Sequence, residues 1–138
     1  MVSVAATTKA HSAQTPYIVV DVNSGKILSQ NQPDHRWYPA SLTKLMTAYV
    51  TFRAIQAGEI KEGSPVEISH AATRQPPSKM GYKKGVRLRI DNALKIIIIK
   101  SANDVSHALA EAVAGSLPAF VKRMNFEAAR LGMTNRWT

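Results

Sequence analysis

Ser41 and Lys44 stand three residues apart at the start of the segment PASLTKLMTAYVTFRAIQAG, Pro39 to Gly58. A serine hydroxyl is a weak nucleophile at neutral pH and needs a base within hydrogen-bond reach. A lysine can be that base once it is neutral, and both burial and the positive end of a helix dipole disfavour its ammonium form. On a helix, residues three apart share a face. The free N–H groups of the same helix start, that of Ser41 included, could hold a developing oxyanion. Further along, Ser101-Ala102-Asn103 adds a second hydroxyl and an amide, in the order that serine acyl-transfer chemistry uses. The bare motifs are not rare. With 11 serines and 10 lysines in the chain, chance yields about one Ser-x-x-Lys, and a Ser-x-Asn about half the time. An ordinary N-cap serine and a snorkelling lysine would also account for the first pair.

The elements that must position these groups can be read in order. Tyr17 to Asp34 reads as a hairpin: YIVVDV is β-branched and aromatic, Asn23-Ser24-Gly25 makes the turn, and KILSQ returns. Pro39 to Gly58 reads as one helix with Ser41 in its first turn. Leu42, Leu45, Met46, Ala48, Tyr49, Val50, Phe52, Ala54 and Ile55 make it apolar nearly all round, which predicts a buried helix. Its polar exceptions Thr43, Thr47 and Thr51 form one narrow stripe. Residues 59–92 read as irregular, with short strands at Val66–Ile68 and Val86–Ile90. Pro76-Pro77, Gly81 and Gly85 break regular structure between them. Asp91 resembles an N-cap for a helix from Ala93 to Lys100, although Ile96 to Ile99 favours a strand by propensity. Two more helices follow. Asp104 to Ala114 turns Val105, Leu109, Ala112 and Val113 inward, and a last helix from about Ser116 repeats Phe120, Met124, Ala128 and Leu131.

The composition is that of a soluble globular chain without cysteine, which removes thiolate chemistry, disulfides and Cys-based metal sites. Lys+Arg number 18 against 9 Asp+Glu, a net charge of +9. Much of the excess lies between Arg74 and Lys100. Such a face favours anionic partners, or is simply a solvated basic surface. Nucleic acid is not expected as a partner, because no aromatic-interleaved basic patch or binding motif accompanies the charge. His11, His35, His70 and His107 lack metal-ligand spacing. His107 is placed on the helix after Asn103, where it could line the site. Residues 1–15 are small and polar and are expected to be a disordered N-terminal remnant. Ala10 to Ala13 has the character of a signal-cleavage site.

Three segments, PASLTKLMTAY, SANDVSHALAEAVAGS and FVKRMNFEAARLGMTN, together resemble the serine-type D-Ala-D-Ala carboxypeptidases, the low-molecular-weight penicillin-binding proteins. The resemblance runs from about Tyr17 to the last residue. It implies an α+β, β-lactamase/transpeptidase-like fold, present in part, with residues 16–138 as a portion of the catalytic domain. It implies Ser41 as the acylated nucleophile and Lys44 as its base. Ser101 would relay a proton to the leaving amine, and Asn103 would hold the substrate amide and keep Lys44 in place. Implied partners are peptidoglycan stem peptides ending in D-Ala-D-Ala, with β-lactams as covalent inhibitors, in the periplasm or outside the cell and without a cofactor. Membrane association would come through a C-terminal segment that these residues do not include.

One departure from the family pattern is plain. No Lys-Thr-Gly triplet occurs in the sequence, and Lys83-Lys84-Gly85 precedes Ser101 and lacks the hydroxyl. The hairpin is accordingly expected to show a free edge, and the 138 residues alone little turnover. A class A β-lactamase would need a deacylating glutamate; Glu111 and Glu127 lie inside apparent helices without the local sequence expected around it. The competing reading is a non-catalytic homologue that binds anionic envelope polymers through its basic face.

Overall fold

The computed structural model describes residues 15–133, which form two compact units divided between Tyr38 and Pro39. The remnant expected at residues 1–15 lies almost wholly outside the described residues.

The first unit is the hairpin. β1 (Tyr17–Val20) and β2 (Ile27–Asn31) pair antiparallel, Tyr17 opposite Asn31, with a register irregularity at Val19/Val20. The turn closes on Asp21, whose carboxylate accepts both the N–H and the hydroxyl of Ser24, at 2.7 and 2.6 Å. The Ser24 hydroxyl and amide hold the Asp21 carboxyl below its usual range. Gly25, at φ +70°, takes the left-handed conformation the turn needs. No third strand joins this sheet among the described residues, and its strands are exposed throughout apart from the half-buried Asn31.

The second unit is a helical core edged by a small sheet. It runs through a 3-10 turn (Ala40–Leu42), α1 (Thr43–Gln56), β3 (Pro65–Glu67), α2 (His70–Thr73), β4 (Arg87–Arg89), α3 (Ile90–Lys100), α4 (Asn103–Ala114) and α5 (Leu117–Arg130). β3 and β4 pair antiparallel, Val66 opposite Leu88, where the two alternating stretches were expected. α4 packs against α1, α2, α3, α5 and β3. Its buried Val105 and Leu109 join Val50, Ile68, Ile97 and Phe120 in one core. Ser116 caps α5 by accepting the Ala119 N–H, and Pro118 sits in the first turn, where its missing N–H costs nothing.

Four expectations need correction. The Pro39–Gly58 helix is not buried all round: Leu42, Leu45 and Phe52 are exposed. Its inward face includes the threonine stripe, with Thr47 and Thr51 buried. The Thr51 hydroxyl donates to the Thr47 carbonyl at 2.8 Å, which lets a polar side chain pack in an apolar interior. Asp91 is not the N-cap of α3. The helix starts at Ile90, Arg89 occupies the cap position, and the Asp91 carboxylate pairs with the Arg89 guanidinium. Leu131 is exposed, beyond the end of α5. The irregular region also holds a short helix not expected there, α2, capped by Ser69.

The isoleucine run is helical. Ile90, Ala93, Leu94 and Ile97 fall at helical spacing and are all buried, so tertiary packing overrides β-propensity. Ile98 and Ile99 are left exposed.

Candidate active site

Ser41 lies in the 3-10 turn that leads into α1, not in the α-helix proper. Its hydroxyl caps neither element. It accepts a hydrogen bond from the Ser101 hydroxyl at 2.9 Å, across 60 residues of chain. Lys44 occupies the first turn of α1 and is half-buried. Its Nζ donates to Asn103 Oδ1 at 2.8 Å. All four residues named from the sequence are thus joined as two bonded pairs. Each pair links the start of α1 to the junction between α3 and α4.

Burial holds the Lys44 ammonium below its ordinary range. Its bonded partner is an amide oxygen, and no carboxylate pairs with it among the described residues, so desolvation is not offset by an opposite charge. A lysine in this setting gives up its proton more readily than one at a surface. Ser41 is exposed and Ser101 partly so, and an incoming group can reach both hydroxyls.

The backbone is bent to make this arrangement. Ser101 closes α3 in the left-handed conformation, φ 54° and ψ 34°, and Ala40, just before Ser41, has φ +46°. Neither is glycine, and that region costs a residue with a Cβ roughly 1–2 kcal/mol. The left-handed residue ends α3 two residues before α4 begins. We expect Ser101→Gly to be more stable than Ser101→Ala by about 1 kcal/mol, since both lose the hydroxyl but only glycine relaxes the turn. Urea unfolding of the two variants checks this; equal midpoints would mean the turn carries no strain.

Asn103 is held from several sides. Its backbone N–H donates to the Ser78 carbonyl at 2.7 Å. Its Nδ2 donates to the carbonyls of Pro76 and Pro77 at 3.0 and 3.2 Å. The loop carbonyls therefore occupy the amide nitrogen, and the amide oxygen is left for Lys44.

A cavity of about 400 Å³ adjoins these groups. Lys44, Thr47, Asn103 and His107 line its polar side, Phe120 and Met124 its apolar side, and neither serine belongs to its wall. His107, on α4, lines the cavity beside Lys44 and Asn103. Its Nε2 bonds Glu111 Oε1 at 3.2 Å, one turn along the helix. His35 and His70 are exposed, and His11 lies outside the described residues.

One residue escaped the sequence reading. Asp104 is 1% exposed and receives the backbone N–H groups of Met80 and Gly81. An acid in the first turn of a helix reads as a partner for the helix dipole, and only the folded chain shows that it faces inward.

Comparison with known proteins identifies a family. The family model described as D-alanyl-D-alanine carboxypeptidase matches residues 2–137. The chain is 40% identical over 127 residues to the D-alanyl-D-alanine carboxypeptidase DacA of Haemophilus influenzae, covering 90% of this chain and 32% of that one. It is 36% identical over 126 residues to DacF of Bacillus subtilis, covering 91% and 32%. Among solved structures it is similar to penicillin binding protein 5 from H. influenzae, at TM-score 0.82 and 35% identity, over 96% of this chain and 40% of that one. The chain spans about a third of the length of the curated relatives it matches.

Proposed function

Since the chain belongs to the D-alanyl-D-alanine carboxypeptidase family, we propose that it supplies the serine-lysine part of a site that removes the terminal D-alanine from peptidoglycan stem peptides. Residues 16–138 form part of the catalytic domain, working in the bacterial cell envelope. Ser41 is the nucleophile. It attacks the carbonyl of the penultimate D-alanine while its proton passes to Lys44, giving a tetrahedral intermediate. The C–N bond then breaks, the leaving amine takes up a proton, and an acyl-enzyme remains for water to hydrolyse. Ser101 carries that proton, since its hydroxyl is bonded to Ser41 Oγ. Asn103 keeps Lys44 in register through its Oδ1. To hold a substrate amide as well, its Nδ2 must exchange a loop carbonyl for the substrate's. A β-lactam acylates the same serine, with the opened ring as acyl group.

The observation that carries this reading is the joining of both motifs. Ser41 meets Ser101 and Lys44 meets Asn103 at hydrogen-bond distance, although each pair is about 60 residues apart in the chain. No Lys-Thr-Gly triplet occurs in these 138 residues, so the test is acylation, not full turnover. The purified chain, incubated at length with a fluorescent penicillin, should gain one covalent adduct by intact mass. Ser41→Ala should gain none. An unlabelled native chain, or a label that survives Ser41→Ala, would overturn the assignment.

A further inference from the structure

The buried carboxylate of Asp104 follows Asn103 in the chain but hydrogen-bonds to none of Ser41, Lys44 or Ser101. Three N–H groups converge on it: Met80 at 3.0 Å, Gly81 at 2.9 Å and, within its own helix, Val105 at 2.9 Å. A carboxylate offers only acceptors, which suits three donors; an amide would turn its NH₂ toward at least one of them. The loop that Asp104 holds is the one that grips Asn103. Ser78 accepts the Asn103 backbone N–H and donates its hydroxyl to the Lys100 carbonyl at 3.3 Å. Pro76 and Pro77 accept from Asn103 Nδ2. An amide group has two orientations, and the two loop carbonyls select the one with nitrogen toward the loop and oxygen toward Lys44. The reverse orientation would set amide donors against the donors of Lys44 Nζ.

We propose that Asp104 is a positioning residue: by anchoring Met80 and Gly81 it sets the 76–81 loop, the loop sets the amide of Asn103, and the amide sets Lys44. The carboxylate acts through two intermediaries and does not meet substrate. Only the kinetic arm of its test rests on the reading of Ser41 as nucleophile.

The test compares Asp104→Asn with the native 138-residue chain and with Val113→Ala, a core truncation at the far end of α4. Amide exchange is followed by NMR at Met80, Gly81 and the Asn103 side-chain NH₂. In Asp104→Asn exchange should rise about tenfold or more at all three, as expected for local opening of a loop that has lost its anchor. Val113→Ala, which weakens the fold as a whole, should not single out these groups. In the penicillin reaction Asp104→Asn should lower the acylation rate constant by about ten- to a hundredfold while the preceding binding constant stays put, because misplaced catalytic groups cost rate more than affinity. Unchanged exchange at Met80, Gly81 and Asn103, or equal changes in the two variants, would overturn the proposal. If the native chain shows no Ser41-dependent adduct, the acylation reading fails and the exchange result alone decides for or against Asp104. Should Asp104→Asn fail to fold, Ser78→Ala, at an exposed position, removes another anchor of the same loop. It should raise Asn103 NH₂ exchange in the same direction to a smaller degree; no rise would count against the loop's control of Asn103.

Discussion

Lys44→Met should cut the rate at which penicillin acylates Ser41 by about 10²–10⁴, the usual worth of a general base. Methionine keeps the apolar stem and removes the amine, so the loss isolates proton transfer from packing. The native chain should acylate faster as pH rises, with an inflection below 10.5, because burial lowers the Lys44 pKa from that value. The Lys44→Met profile should lack that inflection. Stability has its own sign. With the folded-state pKa below the unfolded value, the unfolded chain binds the proton more readily, so stability rises with pH across the window between the two. The charged lysine is a cost below that window, and the cost is gone above 10.5. Lys44→Met should therefore stay within about 1 kcal/mol of the native chain at neutral pH, the lost Asn103 bond offsetting the relieved burial. Stopped-flow acylation from pH 6 to 11 measures the profile. An unshifted inflection in Lys44→Met would assign the titration to another group.

Phe120→Ala should be the most damaging single truncation in the core. Phe120 is 1% exposed on α5, packed in the core that α4 organises, and forms part of the wall of the cavity beside Lys44. Removing a buried aromatic ring costs about 3–5 kcal/mol, since neighbours close only part of the space it leaves. A small domain has roughly 5–15 kcal/mol in total, so a large share of its stability would go. Urea unfolding followed by circular dichroism gives the value. Phe126→Ala, on the exposed side of the same helix, should change stability by no more than about 0.5 kcal/mol. Equal losses from the two would mean that α5 is not anchored through Phe120.

The contrast between these two phenylalanines shows which parts of the fold were legible. On α5, Phe120, Met124 and Ala128 recur at helical spacing and are buried, and a single apolar stripe on a polar helix has only one way to face. On α1 the same reasoning fails. Apolar residues surround the helix, so periodicity gives no direction, and the inward face proved to be the one with Thr47 and Thr51. Threonine is admitted there because its hydroxyl bonds back to its own helix, a choice that composition does not disclose. The isoleucine run of α3 was ambiguous for a related reason: propensity is a local signal, and burial at four positions outweighed it.

For the site, the sequence by itself determined the chemistry available. It put a serine and a lysine one helical turn apart, placed Ser101 and Asn103 in a break between two helices, and withheld a Lys-Thr-Gly triplet. These are local facts, carried by residue type and spacing. Only the tertiary structure decided that the two motifs meet, that Asn103 turns its oxygen to Lys44, and that Asp104 faces inward to hold the loop behind it. The physical reason is distance along the chain. Each of these contacts spans some 20 to 60 residues; the two motifs meet where α4 packs against α1, and Asp104 meets the loop at Met80 and Gly81.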